Sequence, residues 1–162
     1  MKLAQKLALQ YLRTRLNFIG VFSRRKAAEE AFEIFCTPLR KSKKEEGEIF
    51  ASVERHYVQV DGKRVAVYRW NPGGSKKVMI LHGFESATRN FERYIELLIK
   101  KGYTVIAADA PAHGGSEGRQ INLPLYVRTI ATVVEKFGMM DSYMAHSFGG
   151  IAIIHFLENT SH

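Results

Sequence analysis

The sequence predicts an α/β fold in which an antiparallel hairpin leads into parallel strands with flanking helices. Three observations predict it. Residues 51–70 alternate with a period of two about Asp61-Gly62, a strong hairpin turn. The short apolar segments Lys77–Leu81, Thr104–Ala108 and Ser142–Ala145 read as buried parallel strands, separated by stretches of helical spacing. The last of them ends in Ala145-His146-Ser147-Phe148-Gly149, a serine at a strand-to-helix turn with small residues two positions before and after it.

Before the hairpin lie about fifty residues of different character. Residues 1–22 have helical texture, with Leu9, Leu12, Leu16 and Ile19 spaced by three and four and Leu3 and Leu7 nearby. Lys2, Lys6, Arg13 and Arg15 interrupt the apolar run, which is too short for a membrane span and a poor signal peptide. The stripe is expected to pack on the protein's own body; the alternative is a basic amphipathic helix lying on an anionic bilayer. A second helix runs from about Ser23 to Phe35, with Ala27, Ala28, Ala31, Phe32 and Phe35 as its packing stripe and Pro38 as its stop. The charged run Arg40–Gly47 reads as a solvated linker, so residues 1–48 form an extension and residues 49–162 the main domain.

Composition agrees with a folded domain. The 162 residues are 46% hydrophobic and 25% charged. The net charge of +8 is uneven: residues 1–48 carry eleven Lys and Arg against six Glu, and the remainder thirteen against ten. A nearly balanced main domain argues against nucleic-acid binding and leaves the basic excess to the front of the chain. The single cysteine, Cys36, excludes an internal disulfide framework and a cysteine-only metal site. A reducing cytoplasm, with possible peripheral contact at the inner membrane face through residues 1–22, is the expected compartment.

The first apolar run, Lys77–Leu81, enters His82-Gly83-Phe84, where Gly83 permits a close turn and the Phe84 N–H is placed to donate to an oxyanion. His82, at the buried end of a strand, reads as a structural, hydrogen-bonded histidine rather than a base. A helix follows with Phe91, Ile95 and Leu98 on one face and Gly102 as its stop. The second run ends in Asp109-Ala110-Pro111-Ala112-His113-Gly114-Gly115-Ser116. The next helix begins near Pro124, packs through Tyr126, Ile130, Val133, Val134 and Phe137, and ends at Gly138. The third run delivers Ser147. A serine on so tight a turn is strained, bulky neighbours would collide with it, and its Oγ stands clear of the backbone with a helix N-terminus behind it. The Phe148 N–H then points at a developing oxyanion. Gly149 and Gly150 are expected to let the helix approach the sheet, with Ile151, Ile154 and Leu157 packing.

The order strand, His-Gly-Phe, helix, strand, Asp-x-Pro-x-His-Gly-x-Ser, helix, strand, x-His-Ser-x-Gly-Gly resembles the α/β-hydrolase superfamily, and most closely its single-domain bacterial esterase and lysophospholipase-like members. The resemblance covers residues from about 50 to 158 and implies a partial α/β-hydrolase fold preceded by a helical extension. It implies Ser147 as nucleophile and the Phe84 and Phe148 N–H groups as the oxyanion hole. His82, Gly83, Asp109, His113 and His146 are implied to shape the site without doing chemistry. Ala145 and Ala112 stand where the family usually has glycine. A serine at the elbow argues against the dehalogenase and epoxide hydrolase branches, which carry an aspartate there.

The family order is nucleophile, acid, histidine. Fifteen residues follow Ser147; they hold no aspartate, and Glu158, His155 and His162 are the only acid and histidines. His155 stands roughly 12 Å along the helix axis from Ser147. The chain is therefore expected to be the N-terminal part of a longer serine hydrolase acting on small-molecule acyl esters, inactive by itself, with no metal or organic cofactor. A non-catalytic membrane- or partner-binding remnant of the fold is the alternative. No phosphate-binding glycine motif follows any strand, which disfavours a nucleotide-binding protein.

Overall fold

The computed structural model describes residues 3–39 and 44–160. The chain divides into two compact units, residues 1–37 and 38–162.

The first unit is a helical hairpin of α1 (Leu3–Phe22) and α2 (Arg24–Phe35). Ser23 caps α2, its side chain accepting from the Lys26 N–H at 3.2 Å. Leu12, Leu16 and Ile19 of α1 are half-buried, whereas Leu9 is exposed. On α2 the half-buried positions are Ala27, Glu30, Ala31 and Ile34; Ala28, Phe32 and Phe35 are exposed, which corrects the expected stripe. The reason is size: a Cβ added to Gly20 would already be in van der Waals contact with the Ala27 Cβ, at 3.8 Å, so the helices meet here through small residues.

The second unit is a mixed sheet of β1 (Glu54–Val60), β2 (Lys63–Trp70), β3 (Lys76–Leu81), β4 (Tyr103–Ala108) and β5 (Ser142–Ala145). Their order is β1-β2-β4-β3-β5. β1, β2 and β4 pair antiparallel in turn, and β3 pairs parallel with both β4 and β5. α3 (Glu92–Lys100) covers one face; α4 (Leu123–Phe137) and α5 (Phe148–Thr160) cover the other. This is the α/β architecture expected from the sequence, hairpin and parallel strands included.

Because both faces are covered, β3 and β4 are buried on both sides and read as continuous apolar runs. Val67, Met79, Leu81 and Ile106 face the α4 and α5 side, packed with Tyr126, Ile130 and Phe156. Tyr68, Trp70, Ile80 and Val105 face the other side, with Ile95 of α3. Residues 51–52 are not strand. They end a short 3-10 helix, Glu48–Ser52, that drives Phe50 edge-on against Tyr68 and Trp70 (centroids 5.7 and 5.3 Å apart). Nor do Lys44 and Glu46 belong to a free linker: Lys44 pairs with Glu92 at 2.8 Å and Glu46 with Arg55 at 2.6 Å. Residues 40–43 of the charged run lie outside the described residues.

α5 departs from expectation in which side it buries. Gly149, Ala152, Ile153 and Phe156 are buried, whereas Ile151, Ile154 and Leu157 are exposed. The helix is apolar all round, so periodicity cannot choose its face. The choice falls to Gly149, where a Cβ would lie 2.8 Å from both the Leu81 and His82 carbonyl oxygens. Gly150 meets nothing within 4 Å, so only the first glycine of the pair serves close approach. Gly149→Ala is expected to lose about 1–3 kcal/mol, because backbone must move to admit the methyl. Gly150→Ala is expected to gain about 0.5–1 kcal/mol from helix propensity alone. Urea unfolding of the pair checks this; equal effects would refute the assigned approach.

Candidate active site

Ser147 stands between β5 and α5, exposed, with φ +51°. For a serine this left-handed backbone is strained, and the surroundings hold it there. His146 N–H donates to the Leu81 carbonyl at 3.1 Å, which fixes the approach. The Gly149 and Gly150 N–H groups donate to the His146 and Ser147 carbonyls at 3.1 and 2.8 Å, which starts the helix.

The His82–Phe84 loop lies against this turn. A Cβ on Gly83 would stand 3.0 Å from His146 Nδ1 and 3.2 Å from the Ser147 Cβ, so any larger residue would push the loop and the serine apart. Phe84 and Phe148 follow on either side, their rings edge to face at 6.4 Å. Neither the Phe84 nor the Phe148 N–H donates a hydrogen bond among the described residues. Phe148 opens α5, where a free N–H is intrinsic to the helix end. Two uncommitted donors thus border the serine.

The loop is tied down from behind by buried polar groups. The Tyr126 hydroxyl donates to the His82 carbonyl at 2.9 Å; burial pushes this phenol far above its ordinary range, so it remains a donor. His113, buried, accepts the Glu85 N–H at Nε2 (3.0 Å) and donates from Nδ1 to the Pro111 carbonyl (2.9 Å). Glu85 itself has φ +55°, a second strained position next to the loop. Asp109, buried, accepts from the Thr88 N–H at 2.8 Å, the Gly115 N–H at 2.8 Å and the Tyr68 hydroxyl at 3.0 Å. Ala112 adopts φ +68°, which explains why alanine there is a departure from glycine.

His82 is 1% exposed, with both ring nitrogens engaged. Nδ1 donates to the Gly83 carbonyl at 2.7 Å and Nε2 accepts the Ala110 N–H at 2.9 Å. Burial pushes its pKa down to about 4, against the opposing pull of Asp109, 3.9 Å away. A neutral ring in this tautomer has no lone pair to offer a serine. The folded pKa lies below the unfolded value near 6.5, so the unfolded chain takes up the proton first. Its contribution is complete above pH ~6.5 and is lost as pH falls towards 4, by roughly 3 kcal/mol in all. Urea titrations across that window are expected to show a steeper loss for the native chain than for His82→Asn; equal slopes would refute the assignment.

The structure thus brings Ser147, His146, Gly83, Phe84 and Phe148 into one cluster, with Asp109, His82 and His113 behind it. His155 lies up α5, its Nδ1 4.0 Å from Glu158. His162 lies outside the described residues. A feature not read from the sequence is a cleft of about 490 Å³ beside the turn, lined by Ser86, Asn90, Phe91, Tyr94, Met144, Ala145 and His146. Its residues come from two segments far apart in the chain, 86–94 and 144–146, and no local motif marks them. Among the described residues, no group of three or more His, Cys, Asp or Glu could hold a metal ion, and no helix is long and apolar enough to cross a membrane.

Residues 74–162 match the family model described as serine aminopeptidase, S33. A non-heme haloperoxidase of Rhodococcus erythropolis is 30% identical over 93 residues, 56% of this chain and 33% of that protein. A bifunctional esterase/perhydrolase of Acinetobacter calcoaceticus is 24% identical over 102 residues, 60% of this chain and 36% of that protein. Among solved structures, an esterase of Pyrococcus furiosus superposes with TM-score 0.62 at 24% identity, covering 77% of this chain and 54% of its own. The chain spans about a third of the length of the curated relatives it matches.

Proposed function

Because this chain belongs to the serine aminopeptidase (S33) family of α/β-hydrolases, we propose that it is the nucleophile-bearing part of a serine hydrolase acting on carboxylic esters. The observation that carries the reading is the strained Ser147, bordered by the unpaired N–H groups of Phe84 and Phe148. Ser147 Oγ attacks the ester carbonyl and passes its proton to a base. The carbonyl oxygen becomes an oxyanion, which the two N–H groups hold. Collapse breaks the bond to the leaving alcohol, which takes the proton from the base. Water then cleaves the acyl-serine by the same steps and releases the acid.

His82 and His113 are not suited to be the base, since each ring already accepts one hydrogen bond and donates another. The family order puts acid and base after the nucleophile, and in this reading they lie on chain beyond these residues. The ester class is favoured by the esterase named among the relatives. The family description names an aminopeptidase, so the test compares p-nitrophenyl butyrate with aminoacyl p-nitroanilides, using the protein as its host makes it. Faster turnover of the ester supports the proposal, and turnover of the anilides alone overturns it. The 162 residues by themselves are expected to fall at least ~10³-fold below that protein, for want of the base.

A further inference from the structure

We infer that the α1–α2 hairpin seats the protein on an anionic lipid surface, with the face of α1 turned away from α2 as the docking face. α1 meets α2 through Leu12, Leu16, Ile19 and Gly20, and Arg15 pairs with Glu30 of α2 at 2.8 Å. That accounts for one apolar stripe. A second one is left over. Leu3, Leu7, Tyr11, Phe18 and Phe22 fall within an arc of about 100° at 3.6 residues per turn, and they are between 58% (Leu7) and 77% (Phe22) exposed. The Phe18 and Phe22 rings pack edge to face at 5.3 Å, which makes one contiguous apolar patch at the end of the helix.

Charge selects the occupant. Over its 20 residues α1 carries Lys6, Arg13 and Arg15 and no acidic side chain. By helical geometry Lys6 and Arg13 lie about 60° and 80° beyond one edge of the apolar arc, and Arg15, paired to Glu30, about 20° beyond the other. Of the acids on α2, Glu29 and Glu30 are engaged by Arg25 and Arg15. Apolar side chains on one face, beside Lys6 and Arg13 and with no acidic side chain on the helix itself, suit a helix lying in the plane of an anionic bilayer. There the apolar groups enter the acyl boundary and the long basic side chains reach up to the phosphates. The helix is not apolar enough to span, so it lies on the surface. A protein groove would take the apolar stripe equally well, but it would not account for Lys6 and Arg13 standing beside the stripe with no acid on the helix to answer them.

The test uses the whole 162-residue chain and co-sedimentation with vesicles of phosphatidylcholine, with and without phosphatidylglycerol. Binding to the anionic vesicles is expected to be at least about tenfold tighter and to weaken with salt. Lys6→Glu with Arg13→Glu is expected to lower it about tenfold or more. Phe18→Ser with Phe22→Ser is expected to reduce binding at every lipid composition. These positions are exposed, and unchanged far-UV circular dichroism would show that the hairpin survives. Absent binding, or binding indifferent to both double variants, would overturn the inference. A dimer by light scattering that Phe18→Ser with Phe22→Ser splits would assign the face to a second copy of the chain and overturn it too.

Discussion

Ser147→Ala is expected to lower p-nitrophenyl ester hydrolysis by at least ~10³-fold in the protein as its host makes it, with folding stability kept or slightly raised. The two halves of that expectation have separate causes. Activity falls because the methyl of alanine cannot form an acyl-enzyme, and the Phe84 and Phe148 donors alone give only residual catalysis. Stability does not fall, because the serine is exposed and its side chain makes no hydrogen bond among the described residues. Ser147→Gly extends the argument. Glycine accepts φ +51° without strain, so it is expected to be more stable than the native chain by about 0.5–1 kcal/mol while equally inactive. Covalent labelling by a fluorophosphonate, read by intact mass, checks the nucleophile directly. Ester hydrolysis or labelling that survives in Ser147→Ala would sink the assignment.

Asp109→Ala is expected to cost about 3–5 kcal/mol, the largest stability loss of any single exchange considered. Asp109 is 1% exposed and its carboxylate receives the Thr88 and Gly115 N–H groups and the Tyr68 hydroxyl. Removing it leaves the two buried donors, Thr88 N–H and the Tyr68 hydroxyl, facing a void, and a third, Gly115 N–H, at its edge. Tyr68 cannot compensate by ionising, since burial, the main cause of its raised pKa, still holds its phenol above the ordinary range. Asp109→Asn is the informative partner. The amide keeps the shape, but its NH₂ must face either Thr88 or the Tyr68 and Gly115 pair, so one donor meets another. It is expected to recover only part of the loss. Urea unfolding of both variants measures this, and a cost under ~1 kcal/mol for Asp109→Ala would refute the role. Thr88 begins the segment leading into α3, and Gly115 belongs to the loop that carries His113. The carboxylate therefore holds together the supports of the Phe84 loop.

Most of the fold was legible because its signals are local. Asp61-Gly62 closes a hairpin wherever it falls between alternating strands, and both faces of β3 and β4 are apolar because both are covered. The turn at Ser147 was legible for the same reason: small residues at 145 and 149 are a requirement of the turn itself. Where the reading failed, the deciding contact was distant in sequence. Ile151, Ile154 and Leu157 have helical spacing as good as that of Ala152, Ile153 and Phe156, and only the approach of Gly149 to the Leu81 and His82 carbonyls selects between them. Of the expected stripe on α2, Ala27 and Ala31 are half-buried while Ala28, Phe32 and Phe35 are exposed, because the partner helix meets α2 through small residues.

By itself, then, the sequence determined the order of elements, the hairpin, the parallel strands and the serine at its turn, since each follows from residues within a few positions of one another. Only the tertiary structure decided that the Phe84 loop lies against Ser147, and that Asp109, His113 and Tyr126 hold this loop from behind. It also decided that a cleft opens beside His146, and that α1 keeps a second apolar face. These are juxtapositions of segments tens of residues apart. They arise when the sheet sets β3 beside both β4 and β5, and when burial obliges each polar group to find a partner across the fold.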